Sequence, residues 1–240
     1  MKISVCMASY NGKKYIKGQL ESILSQLSKD DEIIISDDSS TDSTIEIIKS
    51  YRDKRIVLFE NQKFKSPIFN FENALGYAKG NIIILSDQDD IWKDNKVEVI
   101  KKYMKDYDLV LSDADIIDEY GNILEESFYK LNKSNAGLFK NIVKNSYLGC
   151  TMAFNRKILN KSLPFPKDLP MHDWWIGLMG ELYGKTYFIE DKLKKNQKTY
   201  YFDLYEYGRY FNQNLKGHFL FGDITKTPKE PGLVKSRPIN

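Results

Sequence analysis

The sequence predicts an α/β fold with a mainly parallel central sheet and helices on both faces. Two observations predict it. Short runs that are apolar throughout recur along the chain, and helical patterns separate them. Strands that show no polar alternation are buried on both faces, and crossover helices are what cover them.

The elements follow in order. "ISVCMA" (3–8) is a short apolar run that stops at the turn-prone "SYNG". Tyr15, Ile16, Leu20, Ile23, Leu24 and Leu27 then recur on one face of a helix. "DEIIISDD" (31–38) reads as a second buried strand ending in acids. After it, Ser43 stands three residues before Glu46, a capping-box spacing at a helix start. "RIVLFE" (55–60) reads as a third strand. Pro67 opens a helix over 67–79, with Ile68, Phe71, Leu75 and Ala78 roughly in phase. "NIIILS" (81–86) and "DLVLSDA" (108–114) read as the fourth and fifth strands, with a lysine-rich helix from about 94 to 105 between them.

Composition excludes several classes. The 240 residues suffice for one large domain or two small ones. A net charge of +3, from 36 basic and 33 acidic groups, is too balanced for a nucleic-acid binder. Cys6 and Cys150 form neither a disulfide framework nor a metal spacing, which suits a reducing compartment. The start, "MKISVCMASYNG", does not resemble a signal peptide, and no apolar stretch approaches the length of a membrane span. These features predict a soluble, cytoplasmic protein.

In parallel α/β sheets ligands bind beyond the carboxyl ends of the strands. Here those ends are Ala8-Ser9-Tyr10-Asn11, Asp37-Asp38 and Asp87-Gln88-Asp89-Asp90. Acids converging on one edge repel each other unless a cation sits between them. A divalent ion is the economical candidate, because carboxylate oxygens suit magnesium or manganese and Asp87-x-Asp89 can aim two carboxylates at one site. The alternative is that these residues simply cap turns and helices after strands.

"SVCMASYNG", "EIIISDDSSTDST", "GNIIILSDQDDIW", "GCTMAFNR" and "MHDWW" together resemble the family 2 glycosyltransferases, especially bacterial members that build rhamnose-containing and related surface polysaccharides. The resemblance covers residues 1 to about 190. It implies the Rossmann-like GT-A fold, with a donor half at about 1–112 and an acceptor half at about 113–190. It also implies a nucleotide-diphospho-sugar donor (UDP- or dTDP-linked), Mn2+ or Mg2+ as cofactor, and inversion at the anomeric carbon. The acceptor would be a saccharide or a lipid-linked sugar, and no nucleic acid is expected. Carried over by position, Ala8, Ser9, Tyr10 and Asn11 hold base and ribose, and Asp38 accepts from a pyrimidine N–H. Asp87, Gln88 and Asp89 face the ribose and the diphosphate, with Asp89 and Asp87 as metal ligands. Asp173 matches the general base.

Other residues carry two readings each. Asp173 between His172 and two tryptophans suits a carboxylate of raised pKa, yet an Asp near a helix start is favoured by the dipole alone. Trp174 and Trp175 suit a sugar-stacking platform or buried packing. Gly149-Cys150 suits close backbone approach to the acceptor or a simple strand entry. Asn73 is a candidate donor contact from the third helix. Cys6 reads as an inert core residue.

Residues 191–240 depart from the family pattern. They carry ten Lys/Arg against five Asp/Glu and lack the Tyr-Arg-x-His-type segment expected near the diphosphate; His218 is their only histidine. This basic, aromatic tail suits peripheral contact with the inner face of the plasma membrane at a lipid-linked acceptor. It also leaves open a non-catalytic sugar-nucleotide-binding remnant. A nucleotidyltransferase making nucleotide sugars is a further alternative, although "SYNGKK" lacks the Gly-rich, Arg- and Lys-bearing loop of that class.

Overall fold

The computed structural model describes residues 1–118 and 120–197. The last part of the expected tail, 198–240 with His218, lies outside them. In chain order the elements are β1 (Ile3–Ser9), α1 (Ile16–Leu24), β2 (Glu32–Asp37), α2 (Thr44–Ser50), β3 (Ile56–Phe59) and α3 (Pro67–Gly76). Next come β4 (Ile82–Asp87), β5 (Ile91–Trp92), α4 (Lys96–Tyr103), β6 (Leu109–Ile117), β7 (Ile123–Glu125), α5 (Phe128–Asn132) and α6 (Leu138–Val143). A single 3-10 turn, Gly149–Thr151, leads into β8 (Met152–Asn155), α7 (Arg156–Ser162), α8 (His172–Tyr183) and β9 (Thr186–Gln197).

One nine-stranded sheet runs in the order β3-β2-β1-β4-β8-β6-β9-β5, with β7 paired to β6. Strands β1 to β4 pair in parallel, so the first half of the sheet is as expected. The second half is mixed. β8 lies antiparallel between β4 and β6, and β9 returns parallel to β6. β8 was legible only as sheet beside "GCTMAF". β9 continues past position 190, where the sequence suggested a domain limit.

Both faces of the sheet are covered. Ile3, Val5 and Met7 of β1 form one apolar cluster with Ile16, Leu20 and Ile23 of α1 and Val97 and Ile100 of α4. The opposite face meets α3, where the Cys6 thiol donates to the Ala74 carbonyl. Cys6 is therefore a core residue, and burial raises its pKa. The capping box at Ser43 does not form. Asp42 accepts the Thr44 N–H at 3.0 Å and so takes over the helix start, leaving the Ser43 side chain without a capping bond. Asp42 wins because its carboxylate is the stronger acceptor for an amide at the positive end of a helix.

Candidate active site

The parallel half aligns the strand ends by register. Ala8 pairs with Ser36 and with Asp87, so the exits of β1, β2 and β4 share one edge. A cleft of about 760 Å3 opens there, walled by Ala8, Ser9, Tyr10, Asp38, Asp87, Gln88 and Asp89 among others. The three polar clusters read from the sequence thus do converge.

Each exit loop is built by its own polar residues. Asp37 is fully buried and accepts from Ser9 Oγ, Ser40 N and Ser40 Oγ, which ties β1 to the loop after β2. Asn11 adopts a left-handed backbone with φ 48° and accepts from Thr41 N at 2.8 Å. Gln88 spans the cleft edge, accepting from Tyr10 N and donating to Tyr10 O. Asp38 accepts from Phe64 N at 2.7 Å and Ser66 N at 3.3 Å. Its carboxylate therefore organises the loop before α3 as well as facing the cleft.

That loop supplies residues with no signal in the sequence: Gln62, Lys63, Lys65 and Ser66 line the cleft. Asn70 and Phe71 of α3 line it too. Asn70 Oδ1 is buried without a hydrogen-bond partner among the described residues. Asn73, one turn later, donates to Ser36 Oγ and is absent from the cleft wall. Asn70 holds the position expected of Asn73, since a three-residue step keeps the helix face but moves along it.

Beneath the cleft lies a charged cluster. Ligand atoms of Asp87, Asp90 and Cys150 all lie within 4.8 Å of one another. Burial raises the Asp87 pKa, and the neighbouring Asp90 and Asp89 carboxylates add to it. Asp90 is paired with Lys194 of β9, both fully buried. Burial alone would lower the Lys194 ammonium, but Asp90 more than offsets it and raises the pKa. Lys96 is also fully buried; its Nζ donates to the Cys150 carbonyl at 3.1 Å and sits 4.5 Å over the Trp92 ring. Burial and then Lys194 push its pKa down to about 7. The cluster fits a hard divalent cation: Asp87 is a poorly compensated carboxylate, and Asp90 Oδ1 is buried with no hydrogen-bond partner among the described residues. Burial keeps the Cys150 thiol protonated, so Cys150 is not the natural ligand.

The 3-10 turn carries the site to its second half. Gly149 N donates to Asp173 Oδ2 at 3.2 Å, and Trp174 N donates to Asp173 Oδ1 at 2.6 Å. A Cβ on Gly149 would lie 3.2 Å from both Asp173 Cβ and His172 Nε2. Close approach does explain the glycine, but to these side chains. Burial pushes Asp173 up to about 6, against the lowering effect of the two N–H groups. Burial pushes His172 down to about 3. Asp173 is therefore the stronger base of the adjacent pair. His172 stacks on Phe71, ring centroids 4.3 Å apart, so the base candidate adjoins the cleft wall.

Of the two readings of the tryptophans, the structure favours packing, most clearly at Trp174. Trp174 is 4% exposed and donates its indole N–H to Asn141 O at 2.8 Å; Trp175 donates to Ser162 O at 2.9 Å. Both indole N–H groups are satisfied by backbone, and Trp174 is core packing rather than an open platform, because its apolar bulk gains most when buried.

The mixed sheet, with acids at the ends of its parallel strands, has the GT-A fold of glycosyltransferases. Staphylococcus aureus TarS residues 1–349, in complex with UDP-GlcNAc, has this fold with a TM-score of 0.66 and 23% identity; the match covers 88% of this chain and 65% of that one. Glucosyl-3-phosphoglycerate synthase from Mycobacterium tuberculosis, solved with Mn2+ and UDP, gives 0.60 and 20%, covering 90% and 79%. The glycosyl transferase family 2 model matches residues 4–163. The chain belongs to glycosyl transferase family 2 and is a glycosyltransferase. It is 33% identical over 234 residues to an uncharacterized glycosyltransferase of Methanocaldococcus jannaschii, covering 90% of this chain and 79% of the relative. It is 30% identical over 180 residues to WfaP of Escherichia coli, a UDP-Glc:alpha-D-GlcNAc-diphosphoundecaprenol beta-1,3-glucosyltransferase, covering 75% and 70%.

Proposed function

We propose that the protein transfers a sugar, with inversion, from a UDP- or dTDP-linked donor to a saccharide or lipid-linked acceptor in surface polysaccharide synthesis. The observation that carries this is the short path from the cleft to Asp173. Phe71 lines the cleft and stacks on His172, and Gly149 holds the Asp173 carboxylate while its neighbour Cys150 meets Asp87. A single displacement needs the leaving group and the base on separate sides of the reacting carbon, and the two acids belong to separate halves of the fold.

In this reading Ala8 to Asn11 and Asp38 hold base and ribose, with Asn70 Oδ1 as an added acceptor. Asp87 and Asp89, the latter on the cleft wall and outside the Asp87–Asp90–Cys150 cluster, would hold a divalent cation, with Asp90 Oδ1 as a further candidate ligand; when bound, the cation neutralises charge developing on the leaving diphosphate. Asp173 takes the proton of the acceptor hydroxyl. Residues 1–112 form the donor half and 113–190 the acceptor half. Of the relatives, WfaP is named for a UDP-linked donor and a diphosphoundecaprenol-linked acceptor, which favours a cytoplasmic enzyme working peripherally at the membrane. Among the described residues no helix is long and apolar enough to cross one.

The test is incubation with a panel of UDP-, dTDP- and GDP-sugars, with manganese, magnesium or chelator, and with lipid-linked saccharides. Release of nucleoside diphosphate coupled to a β-configured product from an α-linked donor supports the proposal. Pyrophosphate formation would point instead to a nucleotidyltransferase, and binding without turnover to a non-catalytic remnant.

A further inference from the structure

We propose that the outward face of α5 and α6, from Lys130 to Lys144, docks the protein onto an anionic lipid bilayer. The proposal deepens the function above, since it rests on that reading for a lipid-linked acceptor, but its test does not require transfer.

Three observations carry it. Three of the fourteen large hydrophobic residues exposed among the described residues, Leu131, Phe139 and Val143, fall on this face. Phe139 is 83% exposed and Val143 69%, and they stand one helical turn apart on α6, with Leu131 at the end of α5. Exposed apolar side chains in such a group mark an interaction surface.

Second, the charge carried by these two helices has one sign, and the nearby acid, Glu181 of α8, is half-buried and accepts from Gly137 N at 2.8 Å. Lys130, Lys133, Lys140 and Lys144 are all exposed, and no Asp or Glu occurs from Ser127 to Lys167. The acids nearest in sequence, Glu125 and Glu126, precede α5. Phenylalanine, valine and leucine interleaved with lysines are the side chains that enter the headgroup region of an anionic bilayer: the apolar ones bury, and the lysines meet phosphates.

Third, the face is held rigid and is wired to the site. Lys144 Nζ donates to Asn132 O, and Asn132 Nδ2 donates to Asn145 O, which closes α5 against the end of α6. Asn141 is fully buried; its Nδ2 donates to Asn135 O and Gly137 O, and its Oδ1 accepts from Ser146 N. Its carbonyl accepts the Trp174 indole N–H, one residue from Asp173. With α6 clamped from within, its other side faces outward. A bilayer on that side would present a lipid-linked acceptor to the acceptor half of the enzyme.

The test is co-sedimentation of the full chain with vesicles of phosphatidylcholine alone and with equal parts of phosphatidylglycerol. Binding to the anionic vesicles only, weakened by salt, is expected. Lys133→Gln and Lys140→Gln should each weaken it roughly fivefold. Phe139→Ser should weaken it by roughly tenfold. UDP binding by each variant should stay unchanged, which shows the fold intact. No binding of the unmodified chain to anionic vesicles overturns the proposal. So does equal binding by the three variants, which would put attachment elsewhere on the chain. Vesicle binding that persists when no sugar nucleotide is bound or turned over would instead count against the proposed activity alone.

Discussion

Phe71 and His172 stack with ring centroids 4.3 Å apart, and through this contact a donor-side helix touches the residue preceding the candidate base. The pair links α3, which walls the cleft, to the start of α8. The geometry of the candidate site depends on packing between helices that are distant in sequence.

Asp173→Asn should leave nucleotide and metal affinity near normal and lower sugar transfer by roughly 10²–10⁴-fold, the usual worth of a positioned base. Single-turnover transfer beside calorimetric UDP binding checks this. Transfer within a few-fold of the unmodified protein would remove Asp173 from the mechanism.

The pH dependence has a definite sign. Burial pushes Asp173 up to about 6, so the carboxylate becomes protonated and inert as pH falls through that value. Transfer should decline about tenfold per unit on the acid side of pH 6. The same raised pKa means that ionised Asp173 costs stability, which is greatest below its unfolded value near 4 and falls as pH rises toward 6. A rate profile flat from pH 5 to pH 8 would contradict the assignment.

Asp89→Asn and Asp87→Asn should each abolish the manganese dependence of UDP binding. Titration of UDP with manganese and with chelator measures it directly. Unchanged metal dependence in both variants would place the cation elsewhere.

Gly149→Ala introduces a Cβ 3.2 Å from Asp173 Cβ and His172 Nε2, so that wall must shift by a few tenths of an ångström. Transfer should drop by roughly tenfold or more, since small displacements of a reacting group are costly. The melting temperature should change by only a few degrees. A variant that transfers normally would show that the tight contact is irrelevant to the base.

Lys194→Met leaves Asp90 buried without its cation and should cost about 3–5 kcal/mol in chemical denaturation. Adding Asp90→Asn should recover much of this loss. If the single substitution is neutral, the pair does not hold β9 in the sheet.

Strand runs, helix phases and acids at strand exits were legible because they are local: apolar runs demand burial, and parallel strands place their ends on one edge. The sequence by itself determined the parallel half of the sheet, from "SVCMASYNG" to "SDQDD", and a carboxylate at the head of α8. Only the tertiary structure decided the rest. Lys96 and Lys194 carry no burial signal in the sequence, yet both are fully buried, because Asp90 and the Cys150 carbonyl reach them from distant segments. Asn70 rather than Asn73 lines the cleft, while the Asn73 amide is taken up by Ser36 Oγ of β2. Trp174 is core and Phe139 is exposed because burial is settled by which elements pack together, and hydrophobicity alone does not name the partner.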